Sequence, residues 1–434
     1  MDLHAWFECF AGCGVRYRLD QIVYRCEACG GLLEVRHDVE ALKHKSGNEW
    51  KQLFDSRLGR MSGVWSKKEM VLPEIDDQSI VSLGEGNSPL IKSLRFAKYL
   101  GIAEIYIKQC GTSHTGSFKD LGMTVLVSMV NQIRSHVRAV ACASTGDTSA
   151  ALSAYCAAAG IPAIVFLPKD KVSIAQLIQP VANNAITISI DTDFDGCMRI
   201  VQEITKDRSI YLANSMNSLR VEGQKTISFE IMQQTGWQVP DFVVVPGGNL
   251  GNVSAIGSGF LLMRDLGMID RLPRLVCAQT ERANPLYRSY KEGFANLQPV
   301  TAGATYATAI QIGNPVSFGK AVRALRATNG IVEQASEAEL VNASAEVDRF
   351  GFFNDPQTGV ALASTIKLVK SRVIPPASRV VVISTAHGLK FAEFKTRFHE
   401  GGLREVNSSL QNLPVNVPAD VAAVRAVIDG RIPA

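Results

Sequence analysis

Apolar strand-like runs alternate with helix-like runs over residues 137–213 and again from 241, which predicts an α/β protein whose parallel sheets are covered on both faces. Several of these strands end in turns rich in glycine or hydroxyls that open helices, where open α/β sheets bind ligands. The composition agrees: 434 residues, 46% apolar and 20% charged, suit a globular chain of more than one domain.

Lysine and arginine total 45 against 41 acidic residues, a net charge of +4 with no long basic run, so neither nucleic acid nor a membrane surface is an electrostatically supported partner. No basic segment followed by an apolar one opens the chain, and no apolar run is long enough to span a bilayer; the expected setting is soluble and cytoplasmic. Nine cysteines, four of them near the N-terminus and the rest scattered in apolar segments, do not form a disulfide framework.

In chain order, residues 1–36 form a small unit. Cys9-x3-Cys13 and Cys26-x2-Cys29 are two knuckles of the kind that close a tetrahedral zinc site, with strands expected over 15–19 and 21–24. The alternative is four reduced cysteines in a ribbon without metal. Residues 37–80 read as a polar linker region with helices over 39–45 and 49–58. After the loop 82–90, a strand over 105–108 delivers the segment 111–120. Strands are then expected at 138–143, 162–167, 186–190, 210–213, 241–245, 275–278 and 379–383. Helices are expected at 147–160, 173–182, 194–205 and 252–266.

Five loops carry chemistry. In G-T-S-H-T-G-S-F-K-D (111–120), a turn-and-cap signal places Lys119 in the first turn of a helix, where the positive end of the dipole disfavours a cation. Converting the amine to an imine with a carbonyl cofactor removes that conflict; a solvated lysine beside a cap is the plain alternative. Pro246-Gly247-Gly248-Asn249-Leu250-Gly251-Asn252 follows a strand and opens a helix, a phosphate-binding arrangement. It lacks the P-loop lysine and the G-x-G-x-x-G spacing, so a cofactor monophosphate fits better than ATP or a dinucleotide. Ser144-Thr145-Gly146-Asp147-Thr148-Ser149 holds more hydroxyls than one helix cap requires and suits a second anion. Asn214-Ser215-x4-Arg220 adds a guanidinium that can clamp phosphate or carboxylate. In Ser384-Thr385-Ala386-His387-Gly388, Thr385 is placed to bond a ring nitrogen, and His387 is equally a structural or a catalytic histidine.

Together the stretches H-T-G-S-F-K-D-L-G-M-T (114–124), A-S-T-G-D-T-S-A-A-L-S-A-Y-C (143–156), N-S-M-N-S-L-R (214–220), V-P-G-G-N-L-G-N (245–252), A-I-Q-I-G-N-P (309–315) and V-I-S-T-A-H-G-L-K-F (382–391) resemble the threonine synthase family. These are pyridoxal-phosphate enzymes of the tryptophan-synthase-β fold group (fold type II), and the resemblance is closest to the plant-type branch. It runs from about residue 20 to 400 and implies two sheet domains around a cofactor cleft. The large one would take 81–118 and 225–400 and the small one 119–224, with a tail over 401–434.

The resemblance also implies roles. Lys119 would hold the cofactor as an imine, beside Phe118. Gly248, Asn249, Leu250, Gly251 and Asn252 would bind the cofactor phosphate, and Thr385 would face the pyridine nitrogen. Asp147 stands where many relatives have asparagine beside the cofactor's 3′-oxygen, where a carboxylate and a phenolate would repel unless one is protonated. Ser144, Thr148, Asn214, Ser215 and Arg220 would bind the substrate phosphate. The implied reaction converts O-phospho-L-homoserine and water into L-threonine and phosphate in a homodimer. The N-terminal knuckles depart from the plant-type pattern. The readings that compete are a related β-replacement enzyme using O-phosphoserine and sulfite, a threonine dehydratase, and a zinc-bearing interaction protein on a retired enzyme scaffold.

Overall fold

The computed structural model of the chain describes residues 3–144, 146–169, 174–192 and 194–432. Thr145 and Ser173 of the sequence expectations therefore lie outside the described residues.

Strands β1 (Ala5–Cys9), β2 (Arg16–Arg18) and β3 (Leu33–His37) form an antiparallel sheet in the order β2-β1-β3. The strand expected over 21–24 does not form. Tyr24 instead accepts the Leu212 N–H on its hydroxyl at 2.7 Å and packs edge-on against Tyr211, so tertiary contact replaces a ladder there. β3 escaped the sequence reading because Glu34 and His37 interrupt its apolar run and serve, with the Leu33 carbonyl, as docking groups. Leu33 O accepts from Lys320 Nζ at 2.6 Å, Arg323 Nη1 donates to Glu34 at 3.0 Å, and His37 Nε2 bonds Glu222 at 2.8 Å.

After helices Val39–Leu42 and Gly47–Arg57, the chain builds two sheets. The larger holds β4 (Leu90–Lys92), β5 (Glu104–Gln109), β10 (Phe242–Pro246), β11 (Arg274–Thr280), β12 (Ile331–Ala335) and β13 (Arg379–Ser384), in the order β12-β11-β10-β13-β5-β4. Every pairing is parallel except that of the edge strand β4 with β5. The smaller sheet is wholly parallel: β6 (Ala139–Ala143), β7 (Ala163–Pro168), β8 (Ile186–Ile190) and β9 (Ile210–Leu212), in the order β8-β7-β6-β9. The central strands are apolar on both faces because helices cover both sides, as the full burial of β6 and β10 shows. β12 went unread because Glu333 and Gln334 interrupt its apolar run.

Two contacts place the site. The turn after β5 is bound to the turn after β13 through backbone bonds, Phe118 N to Thr385 O and His387 N to Gly116 O, each 2.9 Å. Helix Lys119–Gln132 also crosses helix Ser218–Gln234 at almost no separation. A Cβ on Gly223 would lie 1.7 Å from Leu121 O, and one on Gly122 would lie 2.8 Å from Arg220 O. A buried ion pair, Lys108 Nζ to Glu230 at 2.5 Å, fastens the second helix to β5.

Gly223→Ala is therefore expected to destabilise by about 1–3 kcal/mol through overpacking, against the gain of up to about 1 kcal/mol that alanine brings to an ordinary helix position. The midpoint of urea unfolding reads this directly, and an unchanged or higher midpoint would contradict the close crossing.

Candidate active site

Every loop singled out in the sequence lies at the carboxyl end of a strand: 111–120 after β5, 144–149 after β6, 214–220 after β9, 246–252 after β10 and 384–388 after β13. Three of the helices that these loops open have no side-chain cap. Their N-caps are Phe118, Gly146 and Leu250. Elsewhere in the chain Ser46 and Ser336 form full capping boxes. An uncapped helix start leaves N–H groups and a positive dipole end for an anion. Leu250 pays for its place with a left-handed backbone (φ 65°), which a branched side chain adopts only under constraint. Gly248 has no room for a side chain, since a Cβ would meet Ile310 at 3.0 Å. Asn249 ties its loop to its neighbours, donating to Ser215 Oγ at 3.1 Å and accepting from Ser317 N at 3.1 Å through its carbonyl.

Lys119 is the first residue of its helix, and its Nζ lies 4.1 Å from the centre of the Phe118 ring. Burial of its ammonium end and the nearby Arg220 charge bring its pKa down to about 7, partly opposed by Asp147. A neutral, nucleophilic amine is thus available near neutral pH. The neighbouring Asp120 is fully buried and accepts the Thr115 N–H at 2.8 Å and the Thr115 hydroxyl at 2.5 Å. Burial nonetheless pushes its carboxyl up to about 6.

Arg220 is the least satisfied cation of the site. It is 5% exposed, and its Nη2 donates to Thr148 Oγ1 at 3.2 Å, but among the described residues Nε and Nη1 have no partner. Burial lowers its pKa to about 10, so it still carries its charge at neutral pH. A buried guanidinium without a carboxylate, at the positive end of a helix, calls for an anion. Asn214 Nδ2 and both amide atoms of Asn252 are likewise buried and without a partner among the described residues. Ser144 Oγ accepts only from Gly146 N, at 3.4 Å.

Thr385 Oγ1 lies 3.4 Å from each oxygen of Asp355, a fully buried carboxylate that also accepts from Ala386 N at 2.8 Å and from Thr358 Oγ1 at 2.6 Å. Asp355 was missed because it reads as an ordinary helix cap, a role it also fills for helix Pro356–Lys370. His387 proves to be a cap as well: its Nδ1 accepts from Leu389 N at 3.2 Å. Lys390, three residues after His387, reaches Asp147 at 3.1 Å, a pairing with no local signal in the sequence.

Away from this cleft, the ligand atoms of Cys9, Cys13, Cys26 and Cys29 lie within 4.8 Å of one another, with sulfur separations of 3.4 Å (Cys9–Cys29), 3.4 Å (Cys13–Cys26) and 3.8 Å (Cys13–Cys29). Tetrahedral zinc with Zn–S bonds of about 2.3 Å sets sulfurs about 3.8 Å apart, so the cluster has the size for that ion.

An amine of lowered pKa among uncapped helix starts, on two α/β sheets, defines the class: an enzyme that binds a phosphorylated aldehyde. A family model described as pyridoxal-phosphate dependent enzyme matches residues 81–386. "Threonine synthase 2, chloroplastic" of Arabidopsis thaliana is 58% identical over 422 residues, covering 95% of this chain and 82% of its own. The threonine synthase of Methanocaldococcus jannaschii is 42% identical over 389 residues, covering 89% of this chain and 94% of its own. The chain belongs to the threonine synthase family of pyridoxal-phosphate-dependent enzymes. In fold it matches the crystal structure of threonine synthase from Escherichia coli with a TM-score of 0.70, at 20% identity, over 98% of this chain and 100% of that one.

The lowered Lys119 pKa makes a kinetic prediction. The rate at which cofactor-stripped protein captures pyridoxal phosphate, followed by visible absorbance, should rise with pH up to about 7 and level off above it. A rate that keeps climbing towards pH 10 would mark Lys119 as an ordinary lysine.

Proposed function

We propose that this chain converts O-phospho-L-homoserine and water into L-threonine and phosphate, the reaction that its resemblance to the threonine synthases implies. The observation that carries the reading is the buried, half-unpartnered Arg220 guanidinium beside the amine of Lys119. One group suits a substrate phosphate and the other a carbonyl cofactor.

In this reading Lys119 anchors the cofactor, with Phe118 against it, and the backbone N–H groups of Gly248, Asn249, Leu250, Gly251 and Asn252 bind the cofactor phosphate. Thr385 faces the ring nitrogen, braced by Asp355. Bound pyridoxal phosphate supplies an electron sink for charge developing at the substrate Cα. Lys119 Nζ, neutral near pH 7, would take the Cα proton and then a Cβ proton. Arg220, with Thr148, Ser144, Asn214 and Ser215, would hold the phosphate that leaves from Cγ; a proton is then returned to Cγ, water adds at Cβ, and a proton is restored at Cα. Two bodies, 81–118 with 225–400 and 119–224, enclose the cleft, and the working assembly is a homodimer in the cytoplasm. The Arabidopsis relative is named as chloroplastic.

Adding O-phospho-L-homoserine to the purified protein should release phosphate and threonine in equal amounts, and Lys119→Ala should lose both turnover and the visible absorbance. Phosphate without threonine would point to elimination ending in a ketoacid. Neither product, with the absorbance intact, would move the search to O-phosphoserine and sulfite. Arg220→Met should keep the absorbance and raise KM for the phosphorylated substrate by about 10- to 100-fold, the worth of one charge-assisted contact.

The cysteine cluster is proposed to hold one structural zinc ion. Elemental analysis of purified protein should find about one zinc per chain, and chelation should expose the ribbon to protease. Thiols that are fully reactive before chelation would argue for a metal-free ribbon.

A further inference from the structure

Lys390 follows β13 and reaches across the cleft. Its ammonium lies 3.1 Å from Asp147 Oδ1, 2.9 Å from Thr115 O and 2.9 Å from Gln179 Oε1. Two of these contacts are hydrogen bonds, to Thr115 O and Gln179 Oε1, and the third is an ion pair with Asp147. Gln179 closes the set by donating to Thr115 O at 3.1 Å. The stem of Lys390 lies over Gly116, where an added Cβ would be 3.0 Å from its Cδ. One side chain thus joins the turn after β13, the Lys119 loop and two helices of the smaller sheet. The pair is secluded, with the Lys390 and Asp147 side chains 18% and 10% exposed, so solvent screens it weakly.

From this geometry we infer that Lys390 is a positioning residue: it fixes Asp147 at the edge of the site and offsets the charge that Asp147 imposes on the nitrogen of Lys119. The inference rests on the reading of Lys119 as the cofactor-anchoring lysine. It answers the conflict raised by a carboxylate at this position, since the charge is met by an ammonium and needs no shared proton. The other charged groups around the pair are Arg220 and Asp355, which face the site with Lys119, and Asp120 and His114 on the Lys119 segment.

The test is a charge cycle on the cofactor-loaded protein, read from the pH dependence of its visible absorbance. A nearby negative charge favours the protonated nitrogen. Lys390→Met leaves Asp147 uncompensated and should raise the apparent pKa by about one unit, a tenfold change in the protonation equilibrium. Asp147→Asn leaves Lys390 uncompensated and should lower it. The double variant D147N/K390M restores charge balance and should return close to the unaltered protein, as should Lys390→Arg. A purely structural clasp predicts instead that the double variant is as perturbed as K390M, and that result, or a K390M titration that does not move, would overturn the inference. Should K390M fail to fold, the comparison of D147N with D147N/K390M decides: an upward shift on removing Lys390 supports the inference, and equal titrations overturn it. An unaltered protein with no visible band would refute the cofactor reading itself, which distinguishes the two failures.

Discussion

The site depends on the crossing of two helices at Gly122 and Gly223. Either residue with a side chain would collide with the backbone of the other helix. Their contact sets Arg220 against Gly122, one helical turn from Lys119, and so places two cations close together in a region from which water is excluded. That proximity is costly. It lowers the Lys119 pKa and leaves Arg220 with unpaired donors, and each cost prepares a group for a ligand.

The anion-binding character of the cleft comes as much from helix starts as from side chains. Phe118, Gly146 and Leu250 stand where serine, threonine or aspartate would ordinarily satisfy the first N–H groups. Each helix gives up a cap worth about 1 kcal/mol, and Leu250 also bears a left-handed backbone. The scaffold absorbs this because Lys108–Glu230 and the backbone bonds between the 116–118 and 385–387 segments fix the loops from outside the cleft.

The N-terminal ribbon belongs to the same frame. Leu33, Glu34 and His37 bind Lys320, Arg323 and Glu222, and Ser218, two residues before Arg220, donates to Leu33 O. The segment holding the four cysteines is thus fastened to the helix that carries the anion clamp. A ribbon of this size has too small a core to stand alone, and besides these polar contacts its Phe7, Leu33 and Val35 join the apolar core of the rest of the chain.

Much was legible from residue order. Apolar strand runs marked the parallel strands β5, β6, β7, β9, β10, β11 and β13, because strands buried on both faces need apolar sequence, and the alternating β-branched run Ile186–Ile190 marked the exposed edge strand β8. Lys119 at a helix start, the glycine loop and Arg220 could be read because each is a local pattern with a chemical reason. β3, β12 and the irregular path of residues 21–24 could not be read, since polar docking groups or tertiary contacts override their local periodicity. The pairing of Lys390 with Asp147 and Gln179, the support of Thr385 by Asp355, and the isolation of Arg220 join residues up to some 240 positions apart. The sequence by itself determined which groups could do chemistry. Only the tertiary structure decided which charges face one another and which are left unpaired, because that balance depends on burial and distance, and residue order encodes neither.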